Sequence, residues 1–282
     1  MPLVPFGGEL EKAKKGSYAV PLFNVFEMKG CEGVFEAVEH KRAPVIVALN
    51  SVAFEEQSSH AFAAFVRSMA ERASVPVSLM LDHGTSFEQC ISAIALGFTD
   101  VMYDGSMLPL EENIANTRLV VRAAHARGIG AEAELGHVGM GSDYGTFGSK
   151  KGGFTDPTAV ERFVAETGVD FLAVAIGNAH GVYQGEPHLD MNLLREIRKK
   201  VDIPLVLHGG SGLSEEQFKT AIQAGISKVN IATDLLLRAA DQVKQAIHSS
   251  RESYFDIIAA LRAGVREGCE YYLDVFGATR KA

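Results

Sequence analysis

Short apolar runs alternate with amphipathic stretches from Tyr18 to Ser249, and this alternation restricts the chain to α/β folds built on a parallel sheet. The runs are Tyr18–Asn24, Pro44–Asn50, Val77–Leu81, Asp100–Tyr103, Gly130–Glu134, Phe171–Ile176, Leu205–Leu207 and Lys228–Ile231. Between them the spacing predicts helices over Lys29–Lys41, Ser58–Arg72, Ser86–Leu96, Leu110–Arg127, Pro157–Glu166, Asn192–Lys200 and Ser214–Ala224. A helical lead-in covers Glu9–Lys15, and another helix follows the last run over Asp234–Ser249. Several of these stretches open on Ser, Thr or Asp, and Ser214-Glu-Glu-Gln217 is a capping-box pattern.

Eight strands, each followed by a helix, predict a (β/α)8 TIM barrel. An open doubly wound sheet accounts for the strands nearly as well. The polar residues favour closure, because they follow strands near the start, middle and end of the chain, and a closed barrel gathers those ends at one mouth. Single barrels of this class need about 250 residues, so 282 residues are expected to form one domain over 1–282. The stretch 251–282 exceeds what the barrel requires. Its helical pattern, from about Glu252 to Leu273, is expected to add one or two C-terminal helices and part of a subunit contact.

A formal charge of -8 argues against general binding to nucleic acid or an anionic membrane. It leaves room for a small anionic substrate, whose site needs only local donors. Three scattered cysteines, Cys31, Cys90 and Cys269, fit a reducing compartment. The N-terminal sequence lacks a signal-peptide pattern and no apolar run reaches about 18 residues, so a cytoplasmic location is expected. The glycine-rich stretch Gly139–Gly153 is expected to be a mobile lid over the mouth, the alternative being an insertion of no consequence.

Nine histidines are present. His40, His60, His125 and His248 fall in helical stretches and read as surface positions; His137 and His188 receive no assignment. His83, His180 and His208 differ, since each follows an apolar run and precedes a glycine. Three imidazoles at strand ends match a catalytic zinc site with an open fourth position; the competing reading is three barrel residues satisfied by their neighbours. Asp82 adjoins His83, Asp104 follows the fourth strand, and Glu132 and Glu134 share one side of the fifth. Buried carboxylates need a cationic partner, either a metal or an internal ion pair such as one with Lys228. The turns His208-Gly-Gly-Ser-Gly212 and Asn230-Ile-Ala-Thr233 follow the two strands whose loops commonly bind phosphate in barrels. Tight turns without a ligand are the alternative.

Five motifs in order, Leu81-Asp-His83, Glu132-Ala-Glu-Leu-Gly136, Ala173-Val-Ala-Ile-Gly-Asn-Ala-His-Gly-Val-Tyr183, Leu205-Val-Leu-His-Gly-Gly-Ser-Gly212 and Val229-Asn-Ile-Ala-Thr233, resemble the class II zinc-dependent ketose-bisphosphate aldolases, closest to the tagatose- and fructose-bisphosphate branch. The resemblance implies zinc held by His83, His180 and His208, with Glu134 and Asp104 at an alternative metal position. It implies that Asp82 moves the proton of the C4 hydroxyl while the C3–C4 bond breaks, and that Asn230 helps stabilise the enediolate. Dihydroxyacetone phosphate is then expected against Gly181, Gly209, Gly210, Ser211, Asn230, Ile231, Ala232 and Thr233, with sodium or potassium nearby. Asn24 and Ser51, at the first two strand ends, join the expected substrate contacts. A homodimer or homotetramer is expected.

Two departures from the family pattern bear on the substrate. Some relatives carry a glutamate in the mobile loop for the C3 proton; here that loop holds only Asp143. Gln184 stands where fructose-bisphosphate enzymes often have lysine. Arg238 is a candidate for the distal anionic group, which is phosphate or sulfonate, and Arg280 a second candidate reaching a neighbouring subunit. Two other readings stay open: a Schiff-base aldolase using Lys228, and a non-catalytic barrel subunit that supports a partner aldolase.

Overall fold

The computed structural model describes residues 3–56, 58–143, 153–249 and 253–282. Eight parallel strands form a closed barrel: β1 Val20–Asn24, β2 Val45–Asn50, β3 Val77–Gly84, β4 Asp100–Tyr103, β5 Gly130–Leu135, β6 Phe171–Val174, β7 Leu205–Leu207 and β8 Ile226–Ile231. Neighbours in sequence are neighbours in space, and β1 closes the ring by pairing with β8, Val20 opposite Lys228 and Phe23 opposite Ile231. The strands read as apolar runs because they are buried on both faces, outward against helices and inward against one another.

Among the described residues the α-helices are α1 Gly7–Gly16, α2 Met28–Lys41, α3 Ser51–Glu55, α4 Ser59–Arg72, α5 Phe87–Ala95, α6 Leu110–His125, α7 Pro157–Thr167, α8 Met191–Lys200, α9 Glu215–Gln223, α10 Thr233–His248 and α11 Tyr254–Val275. Their starts are chemically marked. Ser86, Asp156 and Asp190 accept backbone N–H groups of their own first turns, and Ser214 and Gln217 close the expected capping box. The C-terminal stretch is a single helix, α11, packed against α2 and α10.

Among the described residues, three short elements have no counterpart in the sequence pattern, one of them the 3-10 turn Gly141–Asp143. The five residues of α3 are too few to show a helical period; Asn50 caps them by accepting the Ala53 N–H at 2.9 Å. A two-residue parallel pair joins Gly139–Met140 to Ala179–His180 beyond the barrel proper. Of the glycine-rich stretch expected to act as a lid, residues 144–152 lie outside the described residues.

At the opposite end from the strand C-termini, Asp100 is fully buried at the start of β4. It accepts the Phe6 N–H at 3.2 and 3.1 Å and the Ser78 hydroxyl at 2.6 Å, pinning the segment before α1 to the barrel floor. Burial outweighs these hydrogen bonds and pushes the carboxyl up to about 7. The folded state therefore keeps a proton that the unfolded chain releases near pH 3.9. Stability should fall as pH rises from about 4 to about 7, by at most about 1.4 kcal/mol per pH unit. Urea unfolding across this window is expected to show a flatter pH dependence for Asp100→Asn than for the parent. An unchanged slope would remove Asp100 as its source.

Candidate active site

The C-terminal ends of the strands surround a cavity of about 500 Å³. Asn24 of β1, Asn50 of β2, Ser51 of α3, and Asp82 and His83 of β3 line one side. Asp104, His137, His180, Gly181, Gly209, Ser211, Asn230, Ala232 and Thr233 complete the polar wall, with Phe26, Val138, Met140 and Leu236 at its apolar parts.

Strand alternation would send Asp82 and His83 to opposite faces. Both reach the cavity because the β3–β4 register shifts between Leu81 and Gly84, and because His83 takes a left-handed backbone with φ of 54°. A bulge of this kind re-aims side chains, and non-glycine residues in that region are held by their surroundings. His208 follows β7 directly. The next residue, Gly209, has φ of 63°, and a Cβ there would lie 2.1 Å from the Ala179 carbonyl oxygen. Glycine thus permits the β7 loop to press against the short strand that carries His180.

The three imidazoles converge. His83 Nε2 lies 2.8 Å from His208 Nδ1, and the three rings stand 4.6–5.8 Å apart between centroids. The other ring nitrogens are committed outward: His83 Nδ1 to Asp104 Oδ2 at 2.7 Å and His208 Nε2 to Glu132 Oε1 at 2.7 Å. An ionised carboxylate only accepts, so each of these nitrogens carries the proton and the facing nitrogens present lone pairs. His180 bonds the Val138 backbone through one nitrogen, while its buried Nε2 has no hydrogen-bond partner among the described residues.

Two facing lone pairs at 2.8 Å need a cation between them, a proton or a metal. Burial disfavours an imidazolium, yet the carboxylates of Asp82 and Asp104 overcome it and lift His83 to about 10. Burial and the charge on His83 then push His180 down to about 4 and His208 well below the usual range. The donor set fits zinc: three imidazoles with one ligand atom each within 4.8 Å of the others, oriented by carboxylate and carbonyl partners, beside an open cavity.

A second set, His83, Asp104 and Glu134, also brings its ligand atoms within 4.8 Å. Burial pushes Glu134 up to about 8. One of its oxygens accepts the Val138 N–H at 2.8 Å and the other has no partner among the described residues. Burial opposes ionisation of Asp104 too, but His83 and Ser106 hold it well below the carboxylate range. His137, unassigned from sequence, bonds Ser106 Oγ at 2.9 Å and sits 4.0 Å from Glu134.

Asp82 is buried and accepts Asn24 Nδ2 at 3.0 Å and Asn230 Nδ2 at 3.1 Å. Burial alone would raise it, but His83, His208 and Lys228 hold it below the ordinary aspartate value. Glu132 forms an ion pair with Lys228 at 2.8 Å, and Lys228 also donates to Asn230 Oδ1 at 2.8 Å. That lysine is enclosed, with its side chain 0% exposed, and lies outside the cavity wall, an arrangement that disfavours a Schiff base.

Among the loops expected to hold phosphate, Gly181, Gly209, Ser211, Ala232 and Thr233 face the cavity. Ser211 Oγ accepts the Asp234 N–H at 3.1 Å, which leaves its own hydroxyl proton to donate. α10 begins at Thr233, adding a helix N-terminus to the same wall. Gly210 and Ile231 do not line the cavity, and the Gly210 N–H is taken by the Asn230 carbonyl at 3.2 Å. Arg238, Gln184, Asp143 and Arg280 are also absent from the wall. Arg238 pairs with Asp234 at 2.6 Å and stacks 4.9 Å above the Tyr271 ring. Gln184 is exposed, with its N–H on the Gly141 carbonyl. Asp143 is exposed at the end of the turn Gly141–Asp143. Arg280 is exposed too, and its N–H is bonded to the Lys41 carbonyl.

Residues 7–281 match the family described as fructose-bisphosphate aldolase class-II. A probable fructose-bisphosphate aldolase of Bacillus subtilis is 36% identical over 291 residues, covering 100% of both chains. A 6-phospho-5-dehydro-2-deoxy-D-gluconate aldolase of Bacillus licheniformis is 38% identical over 281 residues, covering 97% of this chain and 94% of the relative. The crystal structure of the YdjI aldolase of Escherichia coli K12 superposes with a TM-score of 0.89 at 35% identity, covering 99% of each chain. The chain belongs to the class-II fructose-bisphosphate aldolase family and is an aldolase, a lyase.

Proposed function

We propose that this aldolase is zinc-dependent and reversibly cleaves a ketose 1-phosphate with a distal anionic group, of the tagatose or fructose 1,6-bisphosphate type, to dihydroxyacetone phosphate and an aldehyde. The observation that carries the reading is the convergence of three imidazole lone pairs beside an ionised, doubly hydrogen-bonded Asp82. Zinc bound there supplies a Lewis acid for the substrate carbonyl. Asp82 takes the proton of the C4 hydroxyl as the C3–C4 bond breaks, the bonding electrons pass into the enediolate, and a proton delivered to C3 completes dihydroxyacetone phosphate; in the aldol direction C3 loses its proton and Asp82 returns one to the C4 oxygen. Asn230 turns an amide N–H toward Asp82 and the oxygens of the developing enediolate. Ser211, the backbone at Gly181 and Gly209, and the N-terminus of α10 receive the C1 phosphate. Asn24 and Ser51 contact the sugar from β1 and α3.

The relative named for 6-phospho-5-dehydro-2-deoxy-D-gluconate supports a second reading, in which the substrate is a modified ketose phosphate whose distal group is a carboxylate. We also infer a reducing compartment, the cytoplasm, supported by three buried free cysteines, and one barrel domain with a helical extension. A homodimer or homotetramer is supported by Tyr254 and Phe255, 71% and 79% exposed at the start of α11.

Zinc-loaded protein offered a panel of ketose 1-phosphates with phosphate, carboxylate or sulfonate at the distal carbon should release dihydroxyacetone phosphate from at least one, detected by coupled reduction. Absence of that product across the panel would end the reading.

A further inference from the structure

Among the described residues, Lys228–Glu132 is the one ammonium–carboxylate pair with both side chains 0% exposed. Such a pair loses hydration on both sides, and apolar replacements of similar volume are often as stable or more so. Stability therefore gives a weak reason for placing it in the barrel centre, and its contacts give a better one. Glu132 Oε1 accepts both His208 Nε2–H at 2.7 Å and the Lys228 ammonium at 3.1 Å, while Oε2 lies 2.8 Å from Nζ as an ion-pair contact. The ammonium then donates to Asn230 Oδ1 at 2.8 Å, and Asn230 Nδ2 donates to Asp82 Oδ1 at 3.1 Å.

An amide side chain can face either way, and its neighbours decide which. While Asp82 is ionised, it accepts and so holds the Asn230 N–H. Once Asp82 has taken the substrate proton it can also donate, and it no longer dictates the facing of the amide. An ammonium only donates, whatever the state of Asp82.

We propose that Lys228, anchored by Glu132, is a positioning residue that keeps the Asn230 amide N–H turned toward Asp82 and the cavity throughout proton transfer. The proposal rests on the reading of Asp82 as the proton acceptor. It also gives Glu132 two tasks, fixing the His208 ring and bracing Lys228, with both hydrogen bonds on Oε1.

The test neutralises the pair without leaving a lone buried ion. In the double variant Lys228→Met with Glu132→Gln, the glutamine oxygen can still accept His208 Nε2–H, but the donor to Asn230 is gone. Bound zinc, measured by competition with a chromophoric chelator, is expected to match the parent. The kcat per bound zinc should fall about 10- to 100-fold, while KM changes by less than about threefold. In an Asn230→Ala background, the same pair of changes should have little further effect on kcat, because the residue it acts through is gone. Additive losses in that cycle would overturn the proposal. So would a loss that follows only zinc content or the fraction of folded protein. Failure of the underlying reading shows separately, as undiminished kcat in Asp82→Asn, and would overturn both.

Discussion

Chelation at neutral pH is expected to reduce cleavage to background, and stoichiometric zinc to restore it. The expectation follows from where the ring protons must be. Asp104 and Glu132 claim the outward nitrogens of His83 and His208, and the Val138 backbone claims that of His180. Three lone pairs are left facing inward, and His180 Nε2 has no hydrogen-bond partner among the described residues. No other electrophile among the described residues is placed to act instead, since Lys228 is spent on Glu132 and Asn230. His180→Ala should separate ligation from folding. It removes the ring without touching the Glu132–Lys228 pair, so zinc affinity should collapse while the unfolding midpoint changes little. Full turnover in excess strong chelator would sink this account.

Asp82→Asn is expected to lower kcat by about 10²- to 10⁴-fold, the usual contribution of a positioned acid–base group, with zinc retained and KM little altered. The parent carboxylate is ready at neutral pH, because the charges around it outweigh its burial. Asparagine has the same shape but cannot take the proton. It also brings an amide N–H2 against either Asn24 Nδ2 or Asn230 Nδ2, both of which donate to Asp82. One buried donor then loses its acceptor, at a cost of about 1–3 kcal/mol. The signature is a large fall in kcat with a modest fall in unfolding midpoint. A parental kcat would assign the proton to another group.

The strands were legible because each is a short apolar run buried on both faces, and the helices because Ser, Asp and Gln residues mark their starts. The residues of the site could be nominated from their places at strand ends, yet their aim could not. Nothing in Leu81-Asp-His-Gly84 announces the register shift that turns two adjacent side chains into one cavity. His180 sits six residues past the end of β6, held by a two-residue strand too short to leave a period. Gly210 looks like a phosphate contact until its N–H is found on Asn230. Arg238 carried a warning that sequence alone could have supplied: it lies four residues after Asp234 on a helix, the spacing of an ion pair.

The closing contact between β1 and β8 also bears on how the protein is made. Val20 meets Lys228, and the Ala19 N–H reaches the Phe276 carbonyl at 3.0 Å, so β1 leaves the ribosome long before its second neighbour exists. Contacts this remote in sequence slow folding, and a nascent chain presents β1 as an open edge meanwhile. Asp82 and His83 emerge early, His208 and Asn230 late. A growing chain therefore carries Asp82 and His83 well before the residues that stand beside them in the folded cavity, and the cavity is complete only when the ring shuts.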